Sequence, residues 1–194
     1  MNPRRLALAS VAVVTVLCLV GVAVLAVAAG GSALAYEVNG NRTSQTTVDN
    51  QLDDLAHNDL AKQQSHTPGS IDSTTTARLL NTNIVVDLLQ DAADQRGVKV
   101  TAADRSAGKS AAQTSVGDSF SKLPESYRSL LTDLYSSANA LGLKDDTALN
   151  SFLSARITKA DVHVNPKYGF WNPRFGVCPP VGCQALSQPS GGAG

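Results

Sequence analysis

Between Arg5 and Glu37 the chain carries no charged side chain, and this gap limits what the first part of the sequence can become. A stretch of that length, made mostly of Ala, Val and Leu behind a basic start, has no water-facing side to offer a globular domain. It either enters a bilayer or directs export. Leu6 to Ala29 is the continuous apolar run, Gly30, Gly31 and Ser32 loosen the chain after it, and Ala33-Leu34-Ala35 offers small residues at the −3 and −1 positions of a cleavage site before Tyr36. That order is the order of a secretory signal. The run is also long enough to span a bilayer as a helix, so two fates follow: a cleaved signal or an uncleaved anchor, occupying residues 1–35. Arg4 and Arg5 hold the N-terminus in the cytoplasm in both cases. The remainder is expected outside the cytoplasm, secreted or tethered in the cell envelope.

Setting that segment apart changes the charge arithmetic. Of sixteen basic residues two are Arg4 and Arg5, and all sixteen acidic residues lie beyond the gap. The working part is therefore slightly acidic, with mixed signs, and lacks the clustered Lys and Arg that neutralise phosphates, so a nucleic-acid partner is excluded. Its length suffices for one domain with a real core.

The pattern along that part is mostly helical. Tyr36-Glu37-Val38 reads as a very short strand and Asn39-Gly40 as a turn. Thr43 or Ser44 caps a helix whose apolar positions Val48, Leu52, Leu55, Ala56 and Leu60 share one face. A second helix runs from about Thr74 to Arg96, closed by Gly97. Its apolar surface wraps more than one face, which marks the central helix of the core. Thr101 with Asp104 resembles a capping box, but the stretch to Val116 is rich in Ala, Ser and Gly, and a weak or partly disordered helix is expected there. Pro124 opens a helix with a clean stripe from Tyr127 to Leu141, and Asp145 or Asp146 opens a shorter one containing Phe152 and Ile157. Asp161 to Val164 alternates as a strand, stopped by Asn165-Pro166. The expected architecture is four to five helices with a short two-stranded element made by the N- and C-terminal segments, over residues 36–176. Residues 177–194 would form a disulfide loop and a Ser/Gly/Pro-rich tail.

Little in the sequence carries catalytic chemistry. Cys178 and Cys183 enclose a four-residue, Gly-containing loop, and outside the cytoplasm such a pair oxidises to a structural disulfide. The spacing is not that of a thiol oxidoreductase, and the only other cysteine, Cys18, lies inside the apolar run, so no zinc set is completed. His57, His66 and His163 show no metal-pair spacing and read as surface histidines. Asp87, Asp91 and Asp94 follow helical spacing and read as a solvated face, while Asp53-Asp54 and Asp145-Asp146 suit helix starts or water-facing positions. There is no phosphate-binding glycine loop and no nucleophile elbow. No catalytic residue, metal or cofactor is expected. Tyr168, Phe170, Trp171 and Phe175, four of the nine aromatics, crowd one C-terminal arm. That arm either covers the helical core or presents a sticky surface.

Three blocks carry a family resemblance. Ala35-Tyr36-Glu37-Val38-Asn39-Gly40 followed by Val48-Asp49 resembles the opening of SurA-type chaperones and PrsA-type foldases. Arg96-Gly97-Val98-Lys99-Val100-Thr101-Ala102-Ala103-Asp104 is similar to an internal junction of that family. Asp161 to Pro173, with Asn165-Pro166-Lys167-Tyr168-Gly169-Phe170-Trp171-Asn172-Pro173, resembles the closing segment of actinobacterial SurA N-terminal-domain proteins. The resemblance implies a helical domain that holds unfolded or extended polypeptide without ATP. The parvulin-type isomerase domain of longer members has no counterpart here, and no cysteine stands where the family attaches lipid. A client groove is expected between amphipathic helices, because the apolar surface of the Thr74–Arg96 helix is wider than one packed neighbour would cover and the Tyr127–Leu141 stripe can form the other wall; its residues would be Ile84, Leu88, Tyr127, Leu131 and Tyr135, with Trp171 from the arm. The alternative is a structural or interaction protein of the envelope that keeps the fold and not the client binding.

Overall fold

The computed structural model of the chain describes residues 33–58, 72–179 and 183. The order of elements is β1 (Leu34–Val38), β2 (Asn41–Ser44), α1 (Gln45–Ala56), α2 (Ser73–Gln95), α3 (Ala102–Val116), a 3-10 turn (Gly117–Lys122), α4 (Glu125–Ala140), α5 (Asp146–Ile157), β3 (Val162–Val164), β4 (Phe170–Asn172) and β5 (Gly176–Cys178). The described residues are thus mostly helical, with two small antiparallel sheets. None of their helices is long and apolar enough to cross a membrane. The apolar run, Leu60, His66 and the tail beyond Cys183 lie outside the described residues.

Local chemistry sets most helix boundaries. Ser44 caps α1 by accepting from the Thr47 N–H, and Asp72 caps α2 by accepting from the Thr75 N–H. Asp145 does the same for α5 through the Ala148 N–H at 2.8 Å. At α3 the capping box is complete: Thr101 accepts from the Asp104 N–H, and the Asp104 carboxylate accepts from the Thr101 N–H at 2.8 Å. Each pairing satisfies backbone donors that a helix start would otherwise leave open.

The Asn39-Gly40 turn joins β1 to β2. Both residues adopt positive φ, 49° and 88°, the requirement of the tight hairpin turn matching strand twist. β1 pairs on its other side with β3, Tyr36 opposite Val164 and Val38 opposite Val162. The two-stranded element expected from the chain's two ends is therefore present, extended by β2 into the order β2-β1-β3.

The central role of α2 follows from where its side chains go. Leu80, Ile84 and Leu88 enter the main core with Tyr36, Val38 and Val48, Leu79 and Val86 enter a second cluster with Leu130, and Leu89 enters a third with Ala138 and Leu153. Its wide apolar surface is shared among three packed clusters.

Several expectations change. The segment from Ala102 to Val116 is a regular helix, neither weak nor broken. Its small residues are the reason: Gly108 and Ala112 are buried, and a Cβ on Gly108 would lie 2.8 Å from the Ser136 Cα. The two helices meet there backbone to backbone, so the contact needs no large apolar side chain. Leu34 and Ala35 belong to β1; Ala35 is fully buried in the main core and its carbonyl accepts from the Asn165 N–H at 2.8 Å. At the other end β5 runs across residues 176 and 177, with Val177 fully buried. The acidic series on α2 is not a solvated face throughout. Asp91 accepts from Asn39 Nδ2 at 2.9 Å and pairs with Arg156 at 3.4 Å, and burial raises the Asp87 carboxyl above its ordinary range, while a hydrogen bond from Tyr36 acts in the opposite sense.

Candidate functional site

Of the residues expected to wall a client groove, Ile84, Leu88 and Trp171 meet at the main core, while Tyr127, Leu131 and Tyr135 lie along α4. Ile84 and Leu88 are 0% and 1% exposed in the main core, covered by the strands and the arm. Tyr127 and Leu131 are half-buried on α4, Tyr127 against the second cluster. Tyr135 turns to α3, where its hydroxyl lies 2.8 Å from Ser115 Oγ. Trp171 also borders an open concavity, formed by β3 and the arm.

That arm, from Asn165 to Cys178, folds back over the core and is fixed at three points. At its root, Asn165 Nδ2 donates to the Leu34 carbonyl at 2.8 Å. Next, Asp49 on α1 accepts from Lys167 Nζ at 2.7 Å and from the Tyr168 hydroxyl at 2.7 Å. These two hydrogen bonds, the Lys167 one first, hold the Asp49 carboxyl below the usual carboxylate range. The Tyr168 hydroxyl, buried and bonded to that carboxylate, has its pKa pushed up to about 12. Finally, Asn81 on α2 grips β5 in both directions: its Oδ1 accepts from the Val177 N–H at 2.6 Å and its Nδ2 donates to the Val177 carbonyl at 3.3 Å. Gly176 leaves room for this grip, since a Cβ there would lie 2.9 Å from the Asn81 Cγ. The Cys178–Cys183 disulfide is formed, as expected, and fastens the chain just beyond β5.

Within the arm β4 and β5 form a hairpin in which Trp171 faces Val177 and Phe170 faces Cys178. Alternation along β4 splits the aromatics. Trp171 packs against the main core, while Phe170 is 45% exposed; Phe175, in the turn, is 43% exposed. The arm thus covers the core and also displays an aromatic surface. Neither role excludes the other, because successive side chains of a strand point to opposite faces.

A groove of about 460 Å³ lies between β3 and β4, lined by Val162, His163, Val164, Pro166, Gly169, Phe170 and Trp171. Its walls are two strand edges. Among the described residues β3 is bonded only to β1, and β4 only to β5. The Asn39 N–H donates to the Asp161 carbonyl and the Asn165 N–H to the Ala35 carbonyl, which marks those two positions as bonded pairs. In an antiparallel ladder bonded and non-bonded pairs alternate, so His163 shares the bonded pair with Glu37, and the backbone groups of Val162 and Val164 point away from β1. The Trp171 Nε1 beside the groove is buried without an acceptor among the described residues, a group that native proteins seldom leave unpaired.

His163 lies exposed, 3.1 Å from Asp161, and His57 is exposed on α1 against Asp53. No group of three or more His, Cys, Asp or Glu among the described residues is placed to hold a metal ion. Sequence reasoning singled out Trp171 but missed the β3 edge, whose only sequence signal was the Val162–Val164 alternation. Compared with known proteins, the chain matches no family model, no curated protein and no solved structure.

Proposed function

We propose that this domain is a non-enzymatic, extracytoplasmic binder of extended polypeptide, working without ATP, and that it engages its client in the groove between β3 and β4. The observation that carries the reading is a concavity of mixed lining, with Pro166, Phe170 and Trp171 on its apolar side, bounded by a strand edge whose outward backbone groups have no partner among the described residues. An extended chain laid along β3 would bond to Val162 and Val164, and its alternate side chains would meet Pro166, Phe170 and Trp171. Main-chain bonds give such an arrangement affinity for many sequences, and the apolar wall selects hydrophobic ones. The similarity of the three sequence blocks to SurA-type chaperones supports the same activity. The disulfide supports an oxidising compartment, and the integration of Leu34 and Ala35 into β1 supports a chain that is not cut after Ala35. On this reading the run Leu6–Ala29 is a retained anchor that tethers the domain to the membrane's outer side.

A second reading, an envelope interaction protein with one fixed partner, draws support from the fastening of the arm at Asn165, Asp49 and Asn81, which presents the groove preformed. Suppression of aggregation of an unfolded model client separates the two. The client-binding reading expects suppression by the wild-type chain and its loss in Val164→Pro, which removes an outward N–H from an edge position that tolerates proline. No suppression at several-fold excess of the wild type overturns it.

A further inference from the structure

We propose that the groove holds one extended polypeptide segment by both of its edges at once, so that the segment pairs with β3 on one side and with β4 on the other and joins the two sheets into one. The inference deepens the reading of this groove as a polypeptide site and rests on it. β3 supplies the outward groups of Val162 and Val164. The free edge of β4 is read from Asn81. That side chain takes both backbone groups of Val177, the N–H at 2.6 Å and the carbonyl at 3.3 Å, which leaves neither for β4. Val177 stands opposite Trp171, so Trp171 is half of a non-bonded pair. In an antiparallel ladder the backbone groups of such a pair point away from the partner strand. The Trp171 N–H and carbonyl therefore face the free edge of β4, where no strand among the described residues meets them. The Trp171 indole Nε1 on the same wall also has no acceptor among the described residues.

The fold keeps these two edges apart. β3 ends at Val164 and β4 begins at Phe170, and strands joined by so short a connection ordinarily pair with each other as a hairpin. β3 and β4 are not bonded to each other. Their connection is fastened elsewhere, Asn165 to the Leu34 carbonyl and Lys167 and Tyr168 to Asp49. A strand lying between them engages the N–H and carbonyl of every residue, alternately on β3 and on β4. The class of ligand follows. It is a single chain, unpaired on both sides and free of proline over the bound stretch, as unfolded polypeptide is. The edge strand of a folded partner, with one side already paired, satisfies only one of the two edges.

The full chain is titrated with an acetylated, amidated peptide of alternating Val and Thr, and with copies N-methylated at one central residue at a time. Trp171, the chain's single tryptophan, reports binding through its emission. Each methyl group removes one donor, so the expected result is a loss of affinity of roughly tenfold at consecutive positions alike. A loss confined to every second position means pairing with β3 alone; it overturns the proposal and leaves the polypeptide reading standing. Amide exchange is read on the same complex. The Trp171 amide is expected to slow together with those of Val162 and Val164, while Phe170, whose pair with Cys178 is bonded by the same alternation, changes little. A Trp171 amide left at its free rate while Val162 and Val164 slow likewise overturns the proposal. So does a peptide closed into a disulfide-linked hairpin, open on one edge only, that binds as tightly as the linear one. A chain that binds no linear peptide and suppresses no aggregation overturns the groove reading and this inference with it.

Discussion

Tyr168 is 2% exposed, yet its hydroxyl is satisfied by Asp49, and this one contact ties the last part of the folded chain to α1, 119 residues earlier in the sequence. Tyr168→Phe keeps the ring and deletes a bond to a charged acceptor, so we expect a loss of about 1.5 kcal/mol in urea unfolding. The acid side of the stability profile follows from the same group. Because the folded Asp49 pKa is lowered, its contribution is full above the ordinary carboxylate pKa, near ~4, and disappears as pH falls through the lowered value. Asp87 runs the other way. Burial raises its pKa, so its contribution is present below the ordinary value and is lost as pH rises through the raised one. Asp49→Asn should therefore flatten the loss of stability below about pH 4, as read by unfolding at a series of pH values; an unchanged slope would assign that loss to other carboxylates. Ile84 belongs at this scale too. As a core residue, Ile84→Ala should cost about 2–5 kcal/mol, and an unfolding midpoint unmoved by it would mean that Ile84 is not packed in the core.

At the scale of elements, what the sequence disclosed was the local part of the code. The cap at Thr101, the caps at Ser44 and Asp145 to within one residue, the positive-φ turn at Asn39-Gly40 and the apolar faces of α1, α2 and α4 depend on neighbours a few residues away, and they were readable. Helix α3 was misread because its packing depends on what is missing. Gly108 and Ala112 bury by letting the backbone approach α4, and a stretch of small residues carries no hydrophobic period. Gly108→Ala puts a methyl group against Ser136, so overpacking should cost about 1–3 kcal/mol despite the gain in helix propensity. Thermal unfolding checks this, and a stabilised variant would show that the two helices can part without cost. The β4–β5 hairpin was illegible for another reason. Its strands are three residues each, and β5 is held by Asn81, which lies 96 residues away in sequence, a relation no local window contains.

For the whole molecule, the broad apolar surface of α2 suggested an open client groove, and three packed core clusters account for it instead. A concavity among the described residues lies instead between the edge of β3 and an arm whose aromatic content was visible in the sequence but whose strand pairing was not. The central claim is that an extended polypeptide adds to that edge. Amide hydrogen exchange of Val162, His163 and Val164, measured with and without an unfolded client, tests it most directly, because His163 faces β1 and serves as an internal control. The account predicts that the amides of Val162 and Val164 slow markedly when client is added while that of His163 changes little. A client that binds and leaves Val162 and Val164 exchanging at their free rates would contradict it.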